Sequence, residues 1–272
     1  MRNVIILGSG RSGTSMVTGT LSQAGYFMGE NLWPTRDANP KGFFEDVEIN
    51  EINEDLLESV IPKRLHIPAI KIRRLKLHIP ERIFFRQHPL KWHRWLACVP
   101  LEMQIPSSAE LIKRIQKITQ QEPYCLKDPR FSYTLPIWKP YLQNTAYICV
   151  FRDPASTALS ILKECESLPD LRHKIRGVKI SWQQALKIWT LMYEHILEKH
   201  IHEGEWLFLH YNQAVSQVGL DKLESFTGAI VDRSFPNPEI RRSFSDKPVP
   251  RKTLRIYKQL CELANYQENT SD

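Results

Sequence analysis

Four apolar residues, Val4-Ile5-Ile6-Leu7, run directly into Gly8-Ser9-Gly10-Arg11-Ser12-Gly13-Thr14-Ser15. An apolar run without polar alternation is the pattern of a strand buried on both faces. The glycine-rich turn behind it opens a helix predicted to reach about Ala24. A buried strand, a tight turn and a helix N-terminus bring backbone N–H groups together, the arrangement that holds an anion in α/β folds. The rest of the chain repeats the alternation. Strands are predicted at Tyr124–Leu126, Thr145–Phe151 and Trp206–Leu209, and helices at Glu48–Val60, Ser107–Gln120, Pro154–Leu168 and Ser181–Ile201. Strands alternating with helices imply an α/β fold, a central parallel β-sheet flanked by helices, built as one domain over 1–272. The stretch from Ser234 onward, rich in proline and charge, reads as an irregular wrap.

The loop spacing Gly8 to Gly13 matches the P-loop GxxxxG, but Thr14 stands where the lysine of a nucleoside triphosphatase belongs. That lysine neutralises the β- and γ-phosphates, so its absence argues against ATP or GTP hydrolysis. Arg11 places a cation inside the loop instead, and Thr14 and Ser15 add hydroxyl donors. The bland alternative is a strand-to-helix turn that binds nothing. A second anion site is readable in Phe151-Arg152-Asp153-Pro154-Ala155-Ser156-Thr157-Ala158-Leu159-Ser160: Arg152 ends a strand, and Ser156, Ser160 and Lys163 share a helical face. Here the alternative is a turn capped by Asp153, with Arg152 in a structural ion pair.

Together, and in this order, the two motifs resemble the sulfotransferases that use 3′-phosphoadenosine 5′-phosphosulfate (PAPS). The resemblance spans Val4 to about Gly228 and points to the bacterial and tyrosylprotein-sulfotransferase-like branch. It implies that Gly10, Arg11, Ser12, Gly13, Thr14 and Ser15 hold the 5′-phosphosulfate, that Arg152 and Ser160 hold the 3′-phosphate, and that Tyr211 lies near the adenine. Lys127-Asp128-Pro129-Arg130 resembles the Lys-Asp-Pro motif of that branch, and 39–46 is similar to a stretch common in bacterial members. The chain lacks the early Lys-Thr-His and the late Arg-Lys-Gly of the phenol- and steroid-sulfating branch.

The implied reaction moves a sulfuryl group from PAPS to an acceptor hydroxyl or amine and releases 3′,5′-adenosine bisphosphate. A cation is needed where charge grows on the leaving oxygen, and Lys127 is the candidate; otherwise it is a solvated or Asp128-paired lysine. A base must take the acceptor proton. Glu45, behind the apolar Phe43-Phe44, and Glu30 are the two candidates. Glu45 could equally be an acid favoured by a helix dipole.

No metal is expected, since the nine histidines include no HExxH or similar spacing. His200 and His202 are expected at the surface. Five widely spaced cysteines without a CxxC pair suit a reducing cytoplasm, where they act as small core residues. No apolar run is long enough to span a membrane.

The net charge of +7 is local: 63–94 carries ten Lys or Arg against one acid, leaving −2 for the remainder. Basic residues interleaved with Phe84, Phe85, Trp92 and Trp95 keep a nucleic-acid-binding protein as a rival reading, beside a P-loop nucleotide kinase. The resemblance instead puts this segment on the acceptor side, where a small molecule or a glycan is the expected partner, nucleic acid is not, and a solvated face is the bland alternative.

Overall fold

The computed structural model describes residues 1–36, 39–61, 89, 91–167, 169–170, 175–176, 178, 180–237 and 243–268. Most of the basic segment (63–88 and Leu90) lies outside the described residues. Strand β1 (Asn3–Leu7) leads to helix α1 (Thr14–Thr20), and α2 (Val47–Glu58) and α3 (Ala109–Thr119) precede β2 (Cys125–Lys127). Then come α4 (Phe131–Trp138), β3 (Thr145–Phe151), α5 (Pro154–Ser167) and a small antiparallel hairpin of β4 (Pro169–Asp170) and β5 (Ile175–Arg176). Helix α6 (Trp182–His195) runs on into a π-helical turn, Ile196–His200, before β6 (Glu205–His210), α7 (Tyr211–Ala214), α8 (Gln217–Thr227) and α9 (Arg251–Leu263).

The four long-range strands form one parallel sheet in the order β2-β1-β3-β6. Alternate side chains serve opposite faces, as strand geometry requires. Val4, Ile6, Cys125, Ile148, Val150 and Leu209 pack with Val17 of α1 and with Leu220 and Leu223 of α8. Ile5, Leu7, Leu126, Tyr147, Cys149, Phe151 and Phe208 pack on the other face with residues of α2, α4, α6 and α9. Complete burial of each such side chain contributes about 1.5–3 kcal/mol, so the sheet is held from both sides. The chain leaves β1 for β2 on one flank and returns to β3 on the other. This reversal opens a crevice at the carboxyl ends of the strands, where ligands of open α/β sheets bind.

Two expectations are corrected. The stretch from Ser234 is not wholly irregular: Arg251–Leu263 is a helix, because Thr253, Ile256, Tyr257 and Leu260 fall on one buried stripe at helical spacing. The stripe closes against α6, where the Thr253 and Thr190 hydroxyls lie 2.8 Å apart. His200 is not a surface residue. It is 2% exposed at the end of the π-helical turn, and its Nε2 lies 2.9 Å from the Ser132 carbonyl. Burial pushes the imidazole down to about 4. His202 is exposed.

Candidate active site

The loop after β1 is built around one phenol. Ser9 and Ser12 are fully buried, and Tyr193 of α6 reaches both. The Ser9 N–H donates to Tyr193 Oη at 3.1 Å, Ser12 Oγ lies 2.9 Å from it, and the Val150 carbonyl of β3 lies 2.7 Å from it. Gly8 is obligatory here: a Cβ would stand 2.2 Å from that carbonyl oxygen, at a φ of +138°. Gly13, at φ +99°, starts α1 beneath the ring of Tyr211, which a Cβ would meet at 2.6 Å. The ring of Trp95 covers Gly10 at 2.8 Å from the corresponding Cβ position. Thr14 is buried and Ser15 is partly exposed at the first turn of α1.

Arg11 joins the two predicted motifs. Its backbone takes a φ of +70°, and its Nε donates to Ser160 Oγ at 3.3 Å while one terminal nitrogen lies 3.4 Å from Glu164. The third member of the α5 face is thus the buried Glu164, at i, i+4, i+8 with Ser156 and Ser160, and Lys163 is exposed. Arg152, at the end of β3, is 6% exposed; its guanidinium donates to the Ser243 carbonyl and lies 5.2 Å from the centre of the Tyr211 ring. Tyr211 therefore sits between Gly13 and Arg152. Asp153 caps α5 by accepting from the Ser156 N–H at 2.6 Å, while the buried Ser156 hydroxyl has no partner among the described residues.

Lys127 closes the third side. Its side chain is 1% exposed, and its ammonium donates to Ser15 Oγ at 3.0 Å and lies 2.5 Å from Glu45 Oε1. Asp128 does not take this lysine. It accepts from Asn50 and Asn53 of α2 and from Arg130, whose guanidinium also reaches Glu54 at 2.7 Å. Burial pushes Asp128 up, against the opposing pull of the Arg130 cation. Glu54 is itself completely buried and accepts the backbone N–H groups of Trp92 and Arg94. The returning end of the basic segment is thereby fastened to the strand end that carries Lys127. Glu30 is exposed and makes no side-chain hydrogen bond or ion pair among the described residues.

Of the residues singled out from sequence, the structure brings Arg11 to Ser160, Lys127 to Ser15 and Glu45, and Tyr211 to Gly13 and Arg152. Tyr193, Glu164 and Glu54 were missed, and Trp95 was read only as an aromatic of the basic segment. Their partners are remote in sequence, and only the helical i+4 step from Ser160 marked Glu164. A cavity of about 730 Å³ lies beside Asp153 and Ser156, and its lining among the described residues includes Asn212, Tyr266 and Glu268. Among the described residues no group of three His, Cys, Asp or Glu side chains could hold a metal ion. No described helix is long and apolar enough to cross a membrane.

The family model of the sulfotransferases matches residues 3–220, which takes in the loop, Lys127, the Arg152–Ser160 motif and Tyr211. The chain belongs to the sulfotransferase family. Among solved structures, this sulfotransferase is similar to the sulfotransferase domain of the olefin synthase of Synechococcus PCC 7002, with a TM-score of 0.52 and 14% identity over 95% of this chain and 94% of that one. It is also similar to a sulfotransferase domain from the curacin biosynthetic pathway, with a TM-score of 0.50 and 14% identity over 98% and 99%. At such identity the likeness establishes the shared fold. No curated protein matches the sulfotransferase in sequence.

Proposed function

We propose that the chain transfers a sulfuryl group from PAPS to a hydroxyl or amine of a small molecule or glycan, as a cytoplasmic, metal-independent enzyme whose single domain spans 1–272. One observation carries this reading: at the sheet's switch point Lys127, Ser15 and Glu45 meet beside a loop whose Arg11 touches Ser160. The residues present fit a donor with two anionic ends. Gly10 to Ser15 supply a left-handed turn, backbone N–H groups and the Thr14 and Ser15 hydroxyls for the phosphosulfate, and Arg152 and Ser160 supply the second anion site. Tyr211 lies between the two, placed to contact the nucleoside.

When bound, the donor supplies a sulfur whose bond to the bridging phosphate oxygen breaks as a bond to the acceptor oxygen or nitrogen forms. An ammonium has three donors. Ser15 and Glu45 engage two on Lys127, and the third serves the charge that grows on the leaving oxygen. Glu45 accepts the acceptor proton, and its contact with Lys127 keeps its carboxylate aimed. Glu30 is the weaker candidate, since no described residue orients its exposed carboxylate.

Support for an acceptor-side role of 63–94 comes from its described end, where Trp95 covers Gly10 and Trp92 packs edge-on against Trp33 at 5.5 Å. Its charge suits an anionic acceptor. The deciding experiment is thermal stabilisation by 3′,5′-adenosine bisphosphate without magnesium. A shift in wild type that Arg152→Ala abolishes supports the reading, and no shift in wild type overturns it. Stabilisation by Mg-ATP alone would point to a nucleotide kinase.

A further inference from the structure

Tyr193 is 184 positions from Ser9 in sequence, yet its phenol is the point at which the β1 loop, β3 and α6 meet. The ring is completely buried and leans on Trp189, with centroids 4.6 Å apart. A phenol carries one proton, and a carbonyl only accepts. The phenol O–H is therefore shared between the Val150 carbonyl at 2.7 Å and Ser12 Oγ at 2.9 Å, and the Ser9 N–H donates to the phenol oxygen. Ser12 is fully buried with its hydroxyl turned inward onto the phenol, and the Ser9 N–H is consumed, so neither faces a ligand. Arg11, lying between two tethered residues, is turned outward toward Ser160 at its φ of +70°. Val150 is two residues upstream of Arg152, so the same oxygen ties the loop to the strand that presents the second cation.

We propose that Tyr193 is a positioning residue for donor binding: its hydroxyl fixes Ser9 and Ser12 so that Arg11 and the remaining loop amides converge on the anion, and it sets the loop's distance from the Arg152 strand end. This rests on the reading of the loop as the donor site. Burial holds the phenol far above its ordinary value, so it keeps its proton throughout the working pH range. It touches neither donor nor acceptor.

Tyr193→Phe removes one oxygen and leaves the buried ring in place. Tyr124→Phe is the matched control. Tyr124 is equally buried, its hydroxyl lies 2.7 Å from Thr145 Oγ1, and it sits at the opposite end of the sheet. Tyr193→Phe loses its bonds to Ser9, Ser12 and Val150 and Tyr124→Phe its bond to Thr145, and both are expected to melt below wild type. Two readouts separate positioning from stability. In Tyr193→Phe, backbone amide exchange of Ser9 to Ser12 should accelerate by about tenfold or more, with wild-type exchange there in Tyr124→Phe. Bisphosphate affinity and donor KM should weaken by a similar factor in Tyr193→Phe alone, with acceptor KM unchanged. Unchanged loop exchange, or equal loss of affinity in both variants, overturns the proposal. Accelerated loop exchange in Tyr193→Phe, with a wild type that binds no bisphosphate, would leave the tether standing but sink the donor reading, and with it the positioning role.

Discussion

The ammonium of Lys127 and the carboxylate of Glu45 lie 2.5 Å apart across the mouth of the β1 loop, although 82 residues separate them in sequence. The lysine side chain is almost entirely buried, so Glu45 stands where water would otherwise solvate the ammonium. A buried charge stripped of its counter-ion is costly, typically about 3–5 kcal/mol. The couple is therefore both a stability element and, under the proposed reaction, the place where base and leaving-group cation adjoin.

Glu45→Gln should lower sulfuryl transfer by about 10²–10⁴-fold, the usual contribution of a positioned base. Glu30→Gln should stay within about twofold of wild type, a span that one exposed, unpartnered side chain does not exceed. PAPS consumption with each purified variant decides between them. Wild-type rates in both would discard a glutamate base.

Glu54 has no exposed surface and gathers Arg130, Arg94 and two backbone N–H groups. Glu54→Ala leaves two buried guanidinium groups short of a partner, and a loss of roughly 3–5 kcal/mol is expected in urea unfolding. A midpoint close to wild type would show that the network is solvated in solution.

Gly13→Ala asks an L-residue to adopt φ +99° and to push its Cβ into the Tyr211 ring. The strain and the displaced ring together should cost about 1–3 kcal/mol and weaken bisphosphate binding at least tenfold. Calorimetric titration measures it, and Gly25→Ala serves as the comparison. Gly25 also has positive φ, but nothing lies within 4 Å of its Cβ position. Equal effects of the two substitutions would remove the Tyr211 contact from the explanation.

His200 makes stability pH-dependent with a definite sign. Burial lowers its folded-state value to about 4 from an ordinary 6.5. The folded chain thus resists protonation more than the unfolded one. Its contribution is fully present above pH 6.5 and is lost as pH falls from there toward 4, by roughly 3 kcal/mol in all. His200→Gln should flatten the melting temperature across that window. His202→Gln, at the exposed neighbour, should leave the slope unchanged.

The four strands of the parallel sheet were readable from sequence because each carries a local apolar run: Thr145–Phe151 is where its composition puts it, whereas the short β4–β5 hairpin has no such run and was not read. The loop was readable for the same reason, since glycine spacing is local. What escaped depends on partners distant in the chain. Nothing near Glu164 announces Arg11, and nothing near Tyr193 announces Ser9. The C-terminal helix was a different kind of miss, because its stripe of Thr253, Ile256, Tyr257 and Leu260 was present but obscured by the prolines and charges before it. His200 followed suit: a lone polar residue at a helix end reads as exposed until a carbonyl from another helix is found to receive it.

The strand order also has a consequence for how the protein is made. Val4 is synthesised well before its neighbours in the sheet, Cys125 and Ala146. At translation rates of about 5–20 residues per second, β1 waits on the order of ten seconds before either flank can pair. Until then the apolar run Val4–Leu7 is a naked strand with two open edges, the form most prone to wrong pairing. The glycine loop cannot be shaped before Val150 and Tyr193 arrive. Under the proposed reading, donor binding at this site would be a late event in biogenesis, and a bound donor would report that the last sheet neighbours of the first strand have already docked.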